Sequence, residues 1–546
     1  MRKNSVKRSP LTTRPNRSEL LILGGILALG LLLRFWQLDS KPLWVDEVIT
    51  SIFSLGLGFE DIPTAELLPV EAIASLFQYN PTTCPAIAAR LASQSTHPPL
   101  FFCLLHTWLG WVGVENLAWA TRSFAALWGG GAIVAVYGLN RWAFSVRAGL
   151  TGAALMALSP FAVYLSQEAR HYTLPLVFLT LALAAQVRVQ QQLSAKKSPL
   201  MAWAFWGGMS ALALFSHYFC LLALVAQLLT FALFWGRFRP PFNRSTLAQG
   251  FALYLLPYLF LIPWWPAFWG HFHSPTTGWL SPPTGFAPLG QTVASWIVML
   301  FVPPVEGQGV IVQGAIALLS LAILAVLIHQ TRQGWQALGP SMERFTLATV
   351  VIVVVVEYFA LIYGLGKDIS IAPRYHFVYF PAVCALLGAT WGTQSRRFQG
   401  FAAAVLTLSS LCVVYNLAFQ KPYLPDQVAA QFDQDPEPVM VMMAYRNTLE
   451  IAVGLSYGLA LGERRPPEQK ADFALLSYEQ GYEQVWETLA TFPIEPVSLW
   501  AIAPGYLDDA FPETVALTLD QRCQIDPDQF YRLGFPYQRY QCHDNS

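Results

Sequence analysis

Asp46 and Glu47 stand side by side in KPLWVDEVIT (41–50), shortly beyond a long apolar run. Paired carboxylates of this kind can act as a general base, ligate a metal or hold a cation. A base that removes a proton from a hydroxyl or amine must lie within hydrogen-bond reach of it. Arg34, Arg122, Arg170 and Arg374 supply positive charge elsewhere in the chain. Their guanidinium forks match the oxygens of a phosphate or pyrophosphate. An acidic pair with several arginines suggests a transferase whose leaving group is a phosphate, and the same parts could bind and move an anion. Spacing alone does not separate these readings.

The elements that must position these residues are membrane helices. Of 546 residues, 54% are hydrophobic and 12% charged, and the mean hydropathy is +0.42. Soluble domains carry roughly 25% charged residues. The formal net charge of zero hides an uneven distribution. Residues 1–18 hold Arg2, Lys3, Lys7, Arg8, Arg14 and Arg17 with no acid, whereas 19 of the 33 acidic residues follow position 420. This reads as a basic cytoplasmic N-terminus and a water-exposed tail, and not as nucleic-acid binding. Arg34-Phe-Trp follows the first apolar run where a signal peptide would carry small residues, so the run is expected to be a retained span.

A span needs about 20 apolar residues, and Lys and Arg collect in cytoplasmic loops. Eleven spans are expected, near 19–36, 118–141, 148–165, 171–189, 201–218, 219–236, 247–266, 309–329, 345–364, 374–391 and 399–418. The apolar segment 98–113 is short and carries His106. Placing it along the outer surface, inside a large first loop (37–117), keeps the basic loops at Arg141/Arg147, Lys196/Lys197, Arg237/Arg239/Arg244, Arg332/Arg344 and Arg396/Arg397 inside. The expected fold is therefore mainly α. A polytopic membrane domain (19–418), with juxtamembrane helices in its first outer loop, precedes a small extracytoplasmic α/β domain (419–546). In that tail, runs such as Val439–Met443 and Val497–Ala501 alternate with helical stretches near 447–461 and 479–491. Cys523 and Cys542 in the tail can form a disulfide in an oxidising compartment or remain two thiols.

With this topology the outer face collects WVDE (44–47), THPPL (96–100), SQEARHY (166–172), SHY (216–218), the His271/His273 loop and APRYHF (372–377). Ionisable residues at membrane depth cost about 2.5–3.5 kcal/mol each, so a functional reading is their default. Each residue also has a plainer reading. Asp46 can be a solvated loop carboxylate, and Glu47 can do no more than orient it or bind an arginine. Arg34 and Arg122 can be snorkelling interface residues. Glu168 and Arg170 can be a structural ion pair, and His217 and His271 satisfied polar groups near helix ends. Asp46, Glu47, His97 and Glu168 fit Mn or Mg only loosely, so a divalent metal is the less favoured of two readings and no cofactor is assigned. Trp44 can stack on a sugar or shape the mouth of a site.

Four stretches carry a resemblance: LLLRFWQLDSKPLWVDEVIT (31–50), STHPPLFFCLLHTWLGWVG (95–113) with Arg-Ser-Phe-Ala-Ala-Leu (122–127), AGLTGAALMALSPFAVYLSQEARHYTL (148–174) and APRYHFVYFPAV (372–383). Together they resemble the GT-C superfamily of membrane glycosyltransferases, in the branch with the protein O-mannosyltransferases and the lipid A aminoarabinose transferase. The resemblance reaches to about residue 418. It implies a sugar donor on a polyprenyl phosphate and an acceptor lipid, glycan or protein, with transfer at the outer face of an inner (plasma) membrane. It implies Asp46 as base in a single inverting displacement and Glu47 as its partner. Arg170 and Arg374 would hold the donor phosphate, and Arg34, Trp44, His97, Arg122, Glu168, Tyr172, His217 and Tyr375 would complete the substrate site. His97 stands where the aminoarabinose transferases carry lysine. The rival reading is a transporter or flippase for an anionic lipid. The inverted repeats and discontinuous helices of many transporters are not evident in the sequence.

Overall fold

A computed structural model describes residues 15–240, 244–272, 280, 282–305, 308–435, 438–466, 468–494, 496–506, 510–517 and 521–544. Most of the basic N-terminal segment and His273 lie outside these residues. The helix α1 (Arg17–Phe35) opens on Asn16, whose side chain accepts a hydrogen bond from the Glu19 amide at 2.8 Å. Glu19 then pairs with Arg141 at 2.6 Å, tying the start of α1 to the end of α5 (Leu117–Ala143).

Between them, the long first loop contains three short helices, α2 (Val45–Ser54), α3 (Cys84–Gln94) and α4 (Leu100–Val112). The 13 residues of α4 span about 20 Å at 1.5 Å per residue, too short to cross a bilayer core of about 30 Å. A Cys84–Cys103 disulfide joins α3 to α4, a pairing the sequence reading did not anticipate.

The chain continues through α6 (Val146–Leu158), α7 (Pro160–Ser166), α8 (Thr173–Ser194), α9 (Leu200–Ser216), α10 (Cys220–Phe238), α11 (Arg244–Leu255) and α12 (Trp265–Phe272). It then forms α13 (Ala287–Val298), α14 (Val310–Leu338), α15 (Met342–Leu365), α16 (Phe380–Trp391) and α17 (Arg396–Val414). Among the described residues, eight helical segments are long and apolar enough to cross a membrane, and the α6–α7 pair, bent by 58°, makes a ninth. The other two expected spans, the 17-residue α9 and the 12-residue α16, fall below that length. Residues 373–378, expected to begin the span that became α16, form a separate 3-10 turn. The expected span at 247–266 is interrupted by a 3-10 stretch at 256–264 that contains Pro263, because proline cannot supply the helical N–H bond. The protein is an integral membrane protein.

The tail forms α18 (Pro425–Phe432), α19 (Thr448–Gly462), α20 (Tyr482–Leu489) and most of one seven-stranded sheet. Its strands are β1 (Leu68–Pro69), β2 (Val439–Tyr445), β3 (Ala471–Ser477), β4 (Ser498–Ile502), β5 (Thr514–Ala516), β6 (Gln521–Tyr531) and β7 (Tyr537–Asp544), in the order β1-β3-β2-β4-β7-β6-β5. The parallel centre β3-β2-β4 is linked by α19 and α20, while β1 comes from the long first loop. Side chains alternate across a strand. On β2, Val439, Val441 and Met443 join the core that runs into the membrane domain, and Met440 and Met442 face a second core. Cys523 and Cys542 sit opposite each other on β6 and β7 and form a disulfide.

The basic loops of the sequence lead to the expectation that Lys196, just after α8, is cytoplasmic and that Glu479, in the tail, is outside. A membrane-impermeant maleimide applied to intact cells is expected to label the thiol introduced by Glu479→Cys and spare that of Lys196→Cys. Labelling at position 196 would break the arrangement.

Candidate active site

Trp44 is the N-cap residue of α2, so the first turn of this helix presents Asp46 and Glu47. Carboxylates there are favoured by the helix dipole. The two side chains diverge. Glu47 is completely buried: Oε1 accepts from Arg122 Nε at 2.8 Å and from the Ala169 amide at 2.8 Å, and Oε2 accepts from Arg122 Nη2 at 2.7 Å. The other N–H groups of Arg122 go to the carbonyls of Leu38 (2.9 Å), Lys41 (2.8 Å) and Pro42 (2.9 Å). Burial would push the Glu47 carboxyl up, but the Arg122 charge, Lys421, and the Arg122 and Ala169 hydrogen bonds outweigh it and hold its pKa at about 2.

Arg122 therefore has its donors engaged inside the protein, which corrects its expected place at a phosphate. Arg34 is corrected for a related reason. Pro160 has no N–H for the carbonyl four residues back, and Arg34 Nη2 donates to that carbonyl, on Met156, at 2.8 Å. Its other contacts are Gly30 O (2.9 Å), Ala157 O (3.0 Å) and Ser166 Oγ (3.1 Å). Arg34 seals the α6–α7 bend.

Asp46 turns the other way, with 18% of its side chain exposed. Its Oδ2 lies 3.6 Å from Arg170 Nε and 3.4 Å from Arg374 Nη2, longer than close charge-assisted bonds. Arg170 reaches in from the 167–172 loop between α7 and α8, and Arg374 from the 373–378 turn. Arg170 Nη1 also holds α2 directly, donating to Asp46 O at 3.1 Å and Thr50 Oγ1 at 2.9 Å. The Nε groups of both arginines lack a hydrogen-bond partner among the described residues. Trp44 lies between cations, with Arg374 5.3 Å and Lys421 5.6 Å from its ring centre.

Glu168 is buried and paired through Oε1 with Lys421 Nζ at 2.7 Å. Its partner is therefore Lys421, not Arg170. Next to it, a cavity of about 310 Å³ is lined by Tyr164, Glu168, Arg374, Phe419 and Gln420, among others. His97 hydrogen-bonds Ser95 Oγ at 2.9 Å and lies in a row with the buried imidazoles of His171 and His217, each neighbouring pair 4.6 Å apart. Burial, then the charges of Arg170, His271 and Arg374, push the His97 pKa well below its ordinary value, so this ring is neutral near pH 7. Tyr172 packs on His217 and Phe377, and the Arg374 guanidinium is 5.7 Å from the Tyr375 ring. His271 bonds Tyr218 Oη at 2.9 Å, as a structural group would.

Lys421, Lys41 and His171 were not singled out from the sequence. Lys41 is buried, donates to Val413 O at 2.6 Å, and has its pKa pushed down to about 7 by burial and then by Lys421 and Arg122. Lys421 could have been noticed as the first basic residue after the last apolar run.

Residues 96–265 match the sequence model of the family described as Dolichyl-phosphate-mannose-protein mannosyltransferase. Two crystal structures of ArnT from Cupriavidus metallidurans superpose along nearly the whole length. The apo form gives a TM-score of 0.55 and the form bound to undecaprenyl phosphate 0.52, each at 13% identity over 96% of this chain and 98% of the other. The fold is GT-C. The oligosaccharyltransferase of Archaeoglobus fulgidus, in its apo form, superposes more loosely, with a TM-score of 0.44 and 13% identity over 81% of this chain and 64% of that one. A comparison with curated proteins finds no match.

Within the GT-C fold, the Glu47–Arg122 pair has a testable pH signature. A carboxylate whose folded pKa is lowered stabilises fully above its unfolded value of 4.5 and loses that contribution as pH falls towards about 2. The melting temperature of the purified protein should fall through this window, and Glu47→Gln should flatten the fall. Removing one partner of a buried pair costs about 3–5 kcal/mol, so Glu47→Gln and Arg122→Met should both melt well below wild type at pH 7. Unchanged melting of both variants would contradict the role given to the pair.

Proposed function

We propose that the protein moves a sugar from a polyprenyl-phosphate-linked donor to an acceptor lipid, glycan or protein at the outer face of the membrane. The observation that carries this reading is the half-made contact of Asp46. Its carboxylate is partly exposed and faces two arginines from separate elements at 3.4 and 3.6 Å. Their guanidinium groups carry the positive charge that suits a phosphate. The matched family's description names dolichyl-phosphate-mannose, and the Cupriavidus ArnT structure was solved with undecaprenyl phosphate bound. Both support a lipid phosphate as the donor's carrier.

Asp46 takes the proton from the acceptor hydroxyl or amine. The acceptor atom attacks the anomeric carbon, the bond from that carbon to the phosphate oxygen breaks, and polyprenyl phosphate leaves. This single displacement inverts the anomeric configuration. Arg170 and Arg374 stabilise the charge that develops on the leaving phosphate, where fixed cations act without reorganising. Glu47 is a positioning residue, because its carboxylate is closed off by Arg122 and Ala169.

The plasma membrane is the proposed location, with the N-terminus cytoplasmic and the tail outside. Two disulfides, one in the first outer loop and one in the tail, fit an oxidising compartment on that side.

Asp46→Asn removes the base and keeps the shape. Incorporation of labelled sugar from polyprenyl-phosphate donors into native membranes should fall about 10²–10⁴-fold. Wild-type rates from Asp46→Asn would remove Asp46 as the base.

A further inference from the structure

The segment that enters the tail domain holds two successive residues, Tyr423 (φ 65°) and Leu424 (φ 44°), in the left-handed region, which side chains of this size rarely adopt. Such strain persists only where the surroundings impose it, and it collects at functional sites. Three contacts impose it here. The Tyr423 ring lies 5.1 Å from that of Phe535, and Tyr457 Oη donates to Tyr423 O at 3.1 Å. Gly534 (φ 82°) comes so close that a Cβ there would lie 3.1 Å from Tyr423 Cα. All three partners belong to the tail. The side chain they hold does not finish inside the protein. Its ring is half-buried, and its hydroxyl is open to solvent and bonds no group among the described residues.

Charge shows where that hydroxyl stands. Burial raises the Tyr423 phenol pKa, and the charges of Asp46 and Glu450 raise it further, so both carboxylates lie near it. Tyr172 and Tyr375 also lie near Asp46, but there Arg170 and Arg374 pull against the effect of burial. Those two tyrosines are on the arginine side of Asp46, and Tyr423 is on the tail side. Glu450 itself is spent: Oε1 accepts from Tyr478 Oη at 3.1 Å and Oε2 from the Arg446 amide at 2.6 Å. The exposed Arg446 guanidinium rests 5.3 Å from the Tyr478 ring centre and pairs with no carboxylate among the described residues. Arg446 follows β2, at the carboxyl end of the parallel strands, with α19 and α20 packed on opposite faces. In open α/β sheets this is the end where ligands collect.

We propose that Tyr423 and Arg446 form a subsite for the acceptor, and that the acceptor is a glycan. The Tyr423 hydroxyl holds a sugar hydroxyl beside the one that Asp46 deprotonates, and Arg446 donates to another farther along. This rests on the reading of the protein as a polyprenyl-phosphate glycosyltransferase, and it gives acceptor selection to the tail domain. A phenol both donates and accepts and a guanidinium only donates, a set that suits the hydroxyls of a sugar. A peptide added to a sheet needs an unpaired strand edge, whereas these groups stand at a strand end and on the connecting segment.

The test restores wild type, Tyr423→Phe or Arg446→Met to a strain deleted for this protein, whose membranes carry the unmodified acceptor. The probes are polyprenyl phosphates bearing labelled mannose, glucose, galactose or 4-amino-4-deoxyarabinose. With a donor that the wild type uses, each variant should transfer about tenfold more slowly, the worth of one hydrogen bond. The purified full-length variants in nanodiscs should still bind bare polyprenyl phosphate within about twofold of wild type and melt at the same temperature. The label should resist protease and be released by glycan hydrolysis, and partition into organic solvent then tells a glycolipid from a polysaccharide. Wild-type transfer by Tyr423→Phe overturns the proposal, and so does a parallel loss of polyprenyl phosphate binding. Label in protease-sensitive material overturns the glycan acceptor. No transfer by the wild type with any of the four donors goes against the transferase reading itself, and this proposal with it.

Discussion

Everything at the site depends on one buried ion pair. Two charges removed from water repay their desolvation only when their geometry is close and their remaining valences are filled. Glu47 and Arg122 meet both conditions with two bonds of 2.7 and 2.8 Å, the Ala169 amide and three loop carbonyls. The pair thereby fixes three things together: the first turn of α2, the 38–42 approach to it, and the loop that carries Arg170. Asp46 is one residue from this anchor and points the opposite way. On the proposed mechanism a flexible loop carboxylate would lose much of its effect, since catalytic groups must hold their geometry closely. Adjacent acids thus divide the work, one locked and one available.

The tail domain belongs to the same construction. Its helix α19 packs on α2, and Ser456 Oγ hydrogen-bonds Leu43 O, one residue before Trp44. The first loop returns the contact by lending β1 to the sheet edge, and the Ala65 amide donates to Leu475 O at 2.8 Å. Lys421, on the segment that enters this domain, closes the Glu168 side of the site at 2.7 Å. One face of the sheet shares its core with the membrane helices. The domain forms a wall behind the site.

Much of this was legible in the sequence because it follows from local rules. Long apolar runs identify helices, the alternation in Val439–Met443 identifies a strand, and a short apolar segment with a histidine identifies α4 as no span. The grouping of WVDE, SQEARHY and APRYHF on one face followed from the positions of the basic loops. Individual roles were less visible. Arg34 and Arg122 look like ligands of an anion until their partners are known, and those partners are backbone carbonyls, which have no sequence signature. Glu168 and Lys421 are far apart in the chain, so their pairing depends on the packing of α7 against α17. The Cys84–Cys103 pairing likewise depends on how α3 folds back on α4.

The central claim is that Asp46 works beside a phosphate held by Arg170 and Arg374. A structure of the protein with polyprenyl phosphate bound tests it most directly. The account predicts phosphate oxygens within hydrogen-bond distance of both guanidinium groups, with the Asp46 carboxylate turned towards open space on the sugar side. A phosphate bound elsewhere, with Asp46 still closed on both arginines, would contradict it.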